Sequence, residues 1–354
     1  MEIIKFFLLS LLMVSSCFSQ KTDTNFVKAN AIAQKFLEAQ KIPGMSISIS
    51  KKGALIWSKG FGFADVKTKK KVNSKTTQFR IASISKTLTA VALAKLVDEK
   101  KLNFDVSLYD YVPEFPKKKY DFTIRQIAGH LSGIRHYNGS EFLINKKMSI
   151  VEGLDVFKDS KLLFKPQSKF KYSTYGWNLL SVVIQNASGK DYLKYMNKNV
   201  FEPLKMDKTV LDISDDENED RTKFYIKRKA VVKEGPSVSN EFKAAGGGFL
   251  STSEDLILFG NEFIQPKIIS ENSLKELVTP QITSEGKNTK YGIGIGISKT
   301  KQNNLRYSHS GGGVGATTYL LIYPEKEVVI SILTNLSGVK MRDLIKELEI
   351  IFVE

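Results

Sequence analysis

Strand patterns stand at both ends of this chain and helical patterns fill its middle, so a sheet must be assembled from segments far apart in sequence. Met45-Ser-Ile-Ser-Ile-Ser50 and Ala54 to Ser58 read as strands joined by a turn at Lys52-Gly53, a hairpin signal. Strand signals return at Tyr291-Gly-Ile-Gly-Ile-Gly-Ile297, Ala316 to Tyr323 and Val328 to Leu333, with Pro324-Glu-Lys-Glu327 turning between the last two. From Ser83 to about Lys205, apolar residues recur at helical spacing between Pro and Gly breaks. Helical spacing also marks residues 24–40 (Phe26, Ala29, Ile32, Ala33, Phe36, Leu37) and Met341 to Phe352. No repeat or low-complexity linker divides the chain. Residues 24–354 therefore read as one α+β domain, with a sheet part (about 24–82 and 240–354) and an inserted, mostly helical part (about 83–239).

The segment Arg80-Ile-Ala-Ser-Ile-Ser-Lys-Thr-Leu-Thr-Ala90 sets Ser83 and Lys86 three residues apart at the start of a helix. That helix is apolar nearly all round (Leu88, Val91, Ala92, Leu93, Leu96, Val97), so it belongs in a core. Residues i and i+3 share a helix face, which lets the Lys86 amine reach the Ser83 hydroxyl. A serine attacks only when a base takes its proton, and a lysine serves as that base only if burial lowers its pKa. The spacing also occurs at Ser48, Ser168, Ser284, Ser298 and Ser337, but none of these opens a buried helix. The alternative reading of Ser83 is an ordinary helix N-cap.

The 354 residues, 42% hydrophobic and 25% charged, suit a folded domain with a sizeable core. Lys5, the apolar run Phe6 to Val14 and the small residues Ser15 and Ser16 read as a signal peptide, too short to span a bilayer. Two endings fit. Cleavage after Ser19 releases the protein to the periplasm or medium; Val14-Ser-Ser-Cys17 as a lipobox (signal 1–16) tethers it to a membrane through Cys17. Small residues at Cys17 and Ser19 favour the Ser19 cut. Neither leaves a cysteine for a disulfide. The net charge of +16 reads first as a solvated basic surface; its other reading is an exported protein that meets anionic envelope polymers or membrane surfaces rather than nucleic acid, for which no binding signature is present. The acidic run Asp212 to Asp220 lacks the glycine and final glutamate of a calcium loop and reads as an exposed loop.

Two further segments supply chemistry. Lys171-Tyr-Ser-Thr-Tyr-Gly-Trp-Asn178 precedes an apolar helix and offers Tyr172 as a phenol that can relay protons. Arg306-Tyr-Ser-His-Ser-Gly-Gly-Gly313 offers glycines where substrate can approach the backbone and amides that can bind an oxyanion. The three histidines (His130, His136, His309) lack metal-ligand spacing, and no Gly-x-Ser-x-Gly elbow is present. His130 and His136 flank a Ser-Gly turn and read as caps of backbone groups.

Together these motifs resemble the β-lactamase-related serine hydrolases, the group of class C β-lactamases, D,D-peptidases and related esterases. The similarity runs from about Ala31 to Ser337 and includes Ile42-Pro-Gly44, Ser58-Lys-Gly-Phe-Gly62, Phe79-Arg-Ile-Ala-Ser-Ile-Ser-Lys86, Tyr172-Ser-Thr174 and His309-Ser-Gly311. Within the group, His130-Leu-Ser-Gly-Ile-Arg-His-Tyr137 and Gly246-Gly-Gly-Phe-Leu-Ser-Thr-Ser-Glu-Asp255 are most similar to the mitochondrial serine β-lactamase-like branch. The resemblance implies an antiparallel sheet flanked by helices with an inserted helical subdomain, and no metal or cofactor. It implies Ser83 as the acylated nucleophile, Lys86 as its base, Tyr172 as the proton relay, and the Ser83 and Gly312 amides as oxyanion hole. Ser310 would bind the substrate. Thr174 and His309 stand where the β-lactamases have Asn and Lys, so the implied activity is that of a peptidase or esterase on small-molecule or peptide substrates. The rival is a non-catalytic envelope protein that binds cell-wall peptides or penicillin in the same cleft; a base and a relay argue against it.

Overall fold

The computed structural model describes residues 24–214 and 217–354, so the leader segment and Cys17 lie outside the described residues. In chain order the strands are β1 (Gly44–Lys51), β2 (Ala54–Asp65), β3 (Lys70–Lys71), β4 (Phe79–Arg80), β5 (Val210–Leu211), β6 (Tyr225–Arg228), β7 (Val231–Glu234), β8 (Phe249–Ser251), β9 (Gly296–Lys299), β10 (Leu305–Gly313), β11 (Ala316–Tyr323) and β12 (Val328–Thr334). The helices are α1 (24–40), α2 (Ser85–Asp98), α3 (Ile124–Ala128), α4 (Thr174–Ser188), α5 (Tyr192–Met196), α6 (Ala244–Gly247), α7 (Ser253–Gly260), α8 (Glu271–Leu277) and α9 (Arg342–Phe352).

The unit Ile42–Val339 is built on a seven-stranded sheet in the order β3-β2-β1-β12-β11-β10-β9, antiparallel throughout. The two ends of the chain meet where β1 pairs with β12, Met45 opposite Thr334. Strand β1 alternates Ile and Ser, a pattern that normally leaves one face wet. Here both faces are buried. The serine face meets α7: Ser253 Oγ lies 2.6 Å from Ser46 Oγ and 2.7 Å from Ser48 Oγ, so the buried hydroxyls satisfy one another.

One strand expected from the sequence does not form over its full length. Tyr291 to Ile295 leave the ladder, and β9 begins only at Gly296. Gly294 takes φ +72°, where a Cβ would sit 2.8 Å from the Ala90 and Trp177 side chains. Its carbonyl accepts from Thr87 Oγ1 at 2.7 Å. Ile293 and Ile295 are fully buried. The glycine alternation thus lets the backbone fold onto α2 instead of pleating.

The middle of the chain also holds strands. Strand β8 pairs with β4 and β5, and β6 with β7 forms a hairpin turning through Lys229 and Ala230, both at positive φ. Asp212 is not the exposed loop residue expected from its acidic run. It is fully buried, because Arg80 on β4 meets it at 2.6 Å.

The second unit, up to Lys41 and from Lys340, holds α1 and α9, whose Phe26 and Phe352 rings stack at 6.3 Å. Among the described residues no helix is long and apolar enough to cross a membrane, and no group of His, Cys, Asp and Glu is arranged to hold a metal.

Candidate active site

Strand β4 runs into a tight 3₁₀ turn, Ala82–Ile84, and then into α2. Ala82 sits at φ +45°, a left-handed backbone that a residue with a side chain rarely adopts, so strain is stored beside Ser83. Ile84 is the N-cap of α2, and neither turn nor helix start is capped by a side chain. The cap reading of Ser83 is therefore wrong. Its side chain instead lines a cleft of about 930 Å³.

Lys86 is fully buried in the first turn of α2. Its Nζ lies 3.1 Å from Ser83 Oγ and 3.2 Å from Thr174 Oγ1, and it donates to the Gly246 carbonyl. None of these partners is a carboxylate, and burial holds its ammonium well below the usual lysine range.

Tyr172 stands immediately before α4, whose N-cap is Ser173. Its hydroxyl pairs with Ser83, and burial pushes the phenol up against that hydrogen bond. Two histidines fix this segment. His130 Nδ1 accepts from the Ser173 N–H and His136 Nδ1 from the Thr174 N–H, each at 3.1 Å, so both are backbone caps as the sequence suggests. The His130 ring also packs on Tyr172 at 4.3 Å, a proximity its position in the sequence did not signal.

Strand β10 brings the glycines. A Cβ at Gly311 would lie 2.2 Å from both the Ile81 carbonyl and Thr318 Oγ1, so only glycine lets β10 press against the segment before Ser83. That approach places Gly312 on the same cleft, with open space where its side chain would be. Ser310 is exposed and lines the cleft.

His309 and Thr174 are less available than the sequence suggests. His309 Nδ1 donates to the Ser310 carbonyl at 2.8 Å, which fixes the tautomer and makes Nε2 the acceptor of the Tyr291 hydroxyl at 3.0 Å. Both ring nitrogens are thus engaged within the protein, while the residue still lines the cleft. Thr174 turns its hydroxyl to Lys86. Burial, then the Lys86 charge, lowers His309 to about 3, against the Ser310 hydrogen bond; burial and Lys86 lower His136 to about 4, against Glu141.

A folded pKa below the unfolded value near 6.5 means that acid protonates the unfolded chain first. This stability is fully present above pH 6.5 and is lost as pH falls toward 4 for His136 and 3 for His309, on the order of several kcal/mol for the buried His309. The melting temperature should hold steady above pH 6.5 and fall below it, and His136→Asn, which keeps an acceptor for the Thr174 N–H, should flatten part of that fall. An unchanged slope would remove His136 from the account.

The cleft also holds residues without a sequence signal. Arg80 links Asp212 at 2.6 Å to the Val314 carbonyl at 3.0 Å, tying the strand before Ser83 to the turn after β10. Lys243, in the short 3₁₀ turn Glu241–Lys243, also lines it. Only long-range contacts reveal either.

The Beta-lactamase family model matches residues 29–351. The chain belongs to the beta-lactamase family. It is 31% identical over 435 residues to the mitochondrial serine beta-lactamase-like protein LACTB of Homo sapiens, covering 92% of this chain and 78% of that protein. Among solved structures it is similar to the octameric penicillin-binding protein homologue from Pyrococcus abyssi (TM-score 0.77, 27% identity, 88% of this chain and 74% of that one). The D-amino acid amidase from Ochrobactrum anthropi SV3 shares the fold (TM-score 0.78, 20% identity, 91% and 98% covered). This beta-lactamase-family chain is a serine hydrolase.

Proposed function

We propose that this hydrolase forms an acyl-enzyme at Ser83 on peptide, amide or ester substrates, as a peptidase or esterase and not as an efficient β-lactamase. The observation that carries the reading is the buried, carboxylate-free Lys86 amine 3.1 Å from Ser83 Oγ. A neutral amine has two hydrogens and one lone pair. The Gly246 carbonyl can only accept, so it takes one hydrogen; Thr174 Oγ1 takes the other, and the lone pair faces Ser83. Lys86 then takes the Ser83 proton as Oγ attacks the substrate carbonyl, and the N–H groups of Ser83 and Gly312 receive the oxyanion. Tyr172 gives its proton to the leaving nitrogen or oxygen and recovers one from the Lys86 ammonium. Water then attacks the acyl-Ser83 ester by the same relay.

The preference against β-lactams follows from His309. A lysine there would face the drug carboxylate with a charge, whereas this imidazole is neutral and engaged on both nitrogens. Intact-mass spectrometry should show a fluorophosphonate adduct, and a chromogenic cephalosporin should turn over slowly or not at all beside small p-nitrophenyl esters. Absence of any adduct would overturn the hydrolase reading of Ser83; efficient cephalosporin turnover would overturn the preference.

Export is part of the proposal. It rests on Lys5 and the apolar run Phe6 to Val14, with maturation either after Ser19 or at a lipidated Cys17. Fractionating the protein beside Cys17→Ser tests the tether.

A further inference from the structure

Lys243 is 3% exposed, yet it lines the cleft that Ser83 lines. Its Nζ has one hydrogen bond, a long one to the Phe142 carbonyl at 3.3 Å, and among the described residues no carboxylate lies within ion-pair distance. The nearby rings, Phe242 at 5.1 Å and Tyr137 at 6.0 Å, offer only weak cation–π attraction. An ammonium carries three donors, so two are unused. Leaving a buried cation so poorly paired is costly. Burial, then the Arg80 charge, lowers Lys243 to about 8, while Asp212 and Glu241 pull it up, so it is still mostly charged at neutral pH.

The charges around it do not supply the missing partner. Arg80 lines the same cleft but is engaged by Asp212 and the Val314 carbonyl. Glu241 accepts from Ser239 through Oε2, and its buried Oε1 has no hydrogen-bond partner, yet neither oxygen forms an ion pair with Lys243. Among the described residues no acidic side chain lines the cleft, which carries Arg80 and Lys243 among apolar walls such as Phe142, Leu143, Ile226 and Val238. Such a site favours an anion joined to an apolar chain.

We propose that Lys243 binds a carboxylate on the acyl half of the substrate, so that the preferred substrates are esters or amides of dicarboxylic or similarly anionic acyl groups. The acyl half is chosen because Lys243 approaches Tyr137, which bonds Thr174 on the far side of Lys86, whereas the Tyr172 ring, beside which the leaving group departs, packs on His130. This differs from the position of His309, which has no charge to offer. The inference rests on the hydrolase reading of Ser83.

The test compares p-nitrophenyl butyrate with mono-p-nitrophenyl glutarate, which share a leaving group and differ in the acyl carboxylate. The wild type should favour the glutarate at least tenfold in kcat/KM, and free glutarate should inhibit competitively. Lys243→Met should collapse that ratio by tenfold or more through KM, and Lys243→Arg should restore most of it. The wild-type preference and the glutarate inhibition stand even if a variant fails to fold. Hydrolysis of both esters without preference, or a preference that survives Lys243→Met, overturns this inference alone. Hydrolysis of neither, with no fluorophosphonate adduct, overturns the hydrolase reading beneath it.

Discussion

Replacing Ser83 with alanine is expected to abolish fluorophosphonate labelling and to lower ester turnover by roughly 10³–10⁶-fold, the range seen when a catalytic nucleophile is removed. The fold should survive. Ser83 caps no helix, and its hydroxyl contributes only the bonds to Lys86 and Tyr172. Their loss costs about 1–3 kcal/mol, within the usual margin of about 5–15 kcal/mol. In the wild type the label should map to the tryptic peptide that contains Ser83. A label elsewhere, or full activity in the alanine protein with an unchanged melt, would sink the assignment.

The second large effect concerns the relay. Lys86→Ala and Tyr172→Phe should each slow acylation strongly, and the double variant should be little worse than the poorer single one. Both residues contact the same Ser83 hydroxyl, and groups that move one proton in concert lose their effect together. If the two losses multiply, Lys86 and Tyr172 act independently. Pre-steady-state acylation by a p-nitrophenyl ester reads the outcome, with Tyr172→Phe the cleaner variant because the ring and its packing on His130 remain.

What the sequence made legible divides along the range of the interactions. The β1–β2 hairpin, β11, β12 and α9 follow from local periodicity and turn residues, and they form where the pattern places them, except that β2 runs past the expected Ser58 to Asp65. The Ser83–Lys86 spacing works because three residues make a helical face. The Gly-Ile alternation before β9 misleads, since period two describes a strand only while the backbone stays extended; Gly294 at positive φ bends it onto α2. Asp212 misleads for a different reason: an acidic run looks solvated until a distant Arg80 is known to meet it. Occupancy is equally invisible. His309 reads as a substrate ligand by position, yet Tyr291 and the Ser310 carbonyl already use both of its nitrogens. Lys243 carries no motif at all, and its interest comes from which partners it lacks.

The pairing of β1 with β12 sets a timetable for the molecule's birth. One edge of β1 waits for a strand that begins only at Val328, far later in the chain. At roughly 5–20 residues per second, that interval lasts tens of seconds, during which a row of backbone N–H and C=O groups stands without its neighbour. Gly312 on β10 is also made late, so the nascent chain holds Ser83 and Lys86 long before it holds the strand opposite them. A ribosome-bound chain stopped before β10 should therefore have no hydrolytic power, because Gly312 and the strand that presses on the segment before Ser83 are both missing.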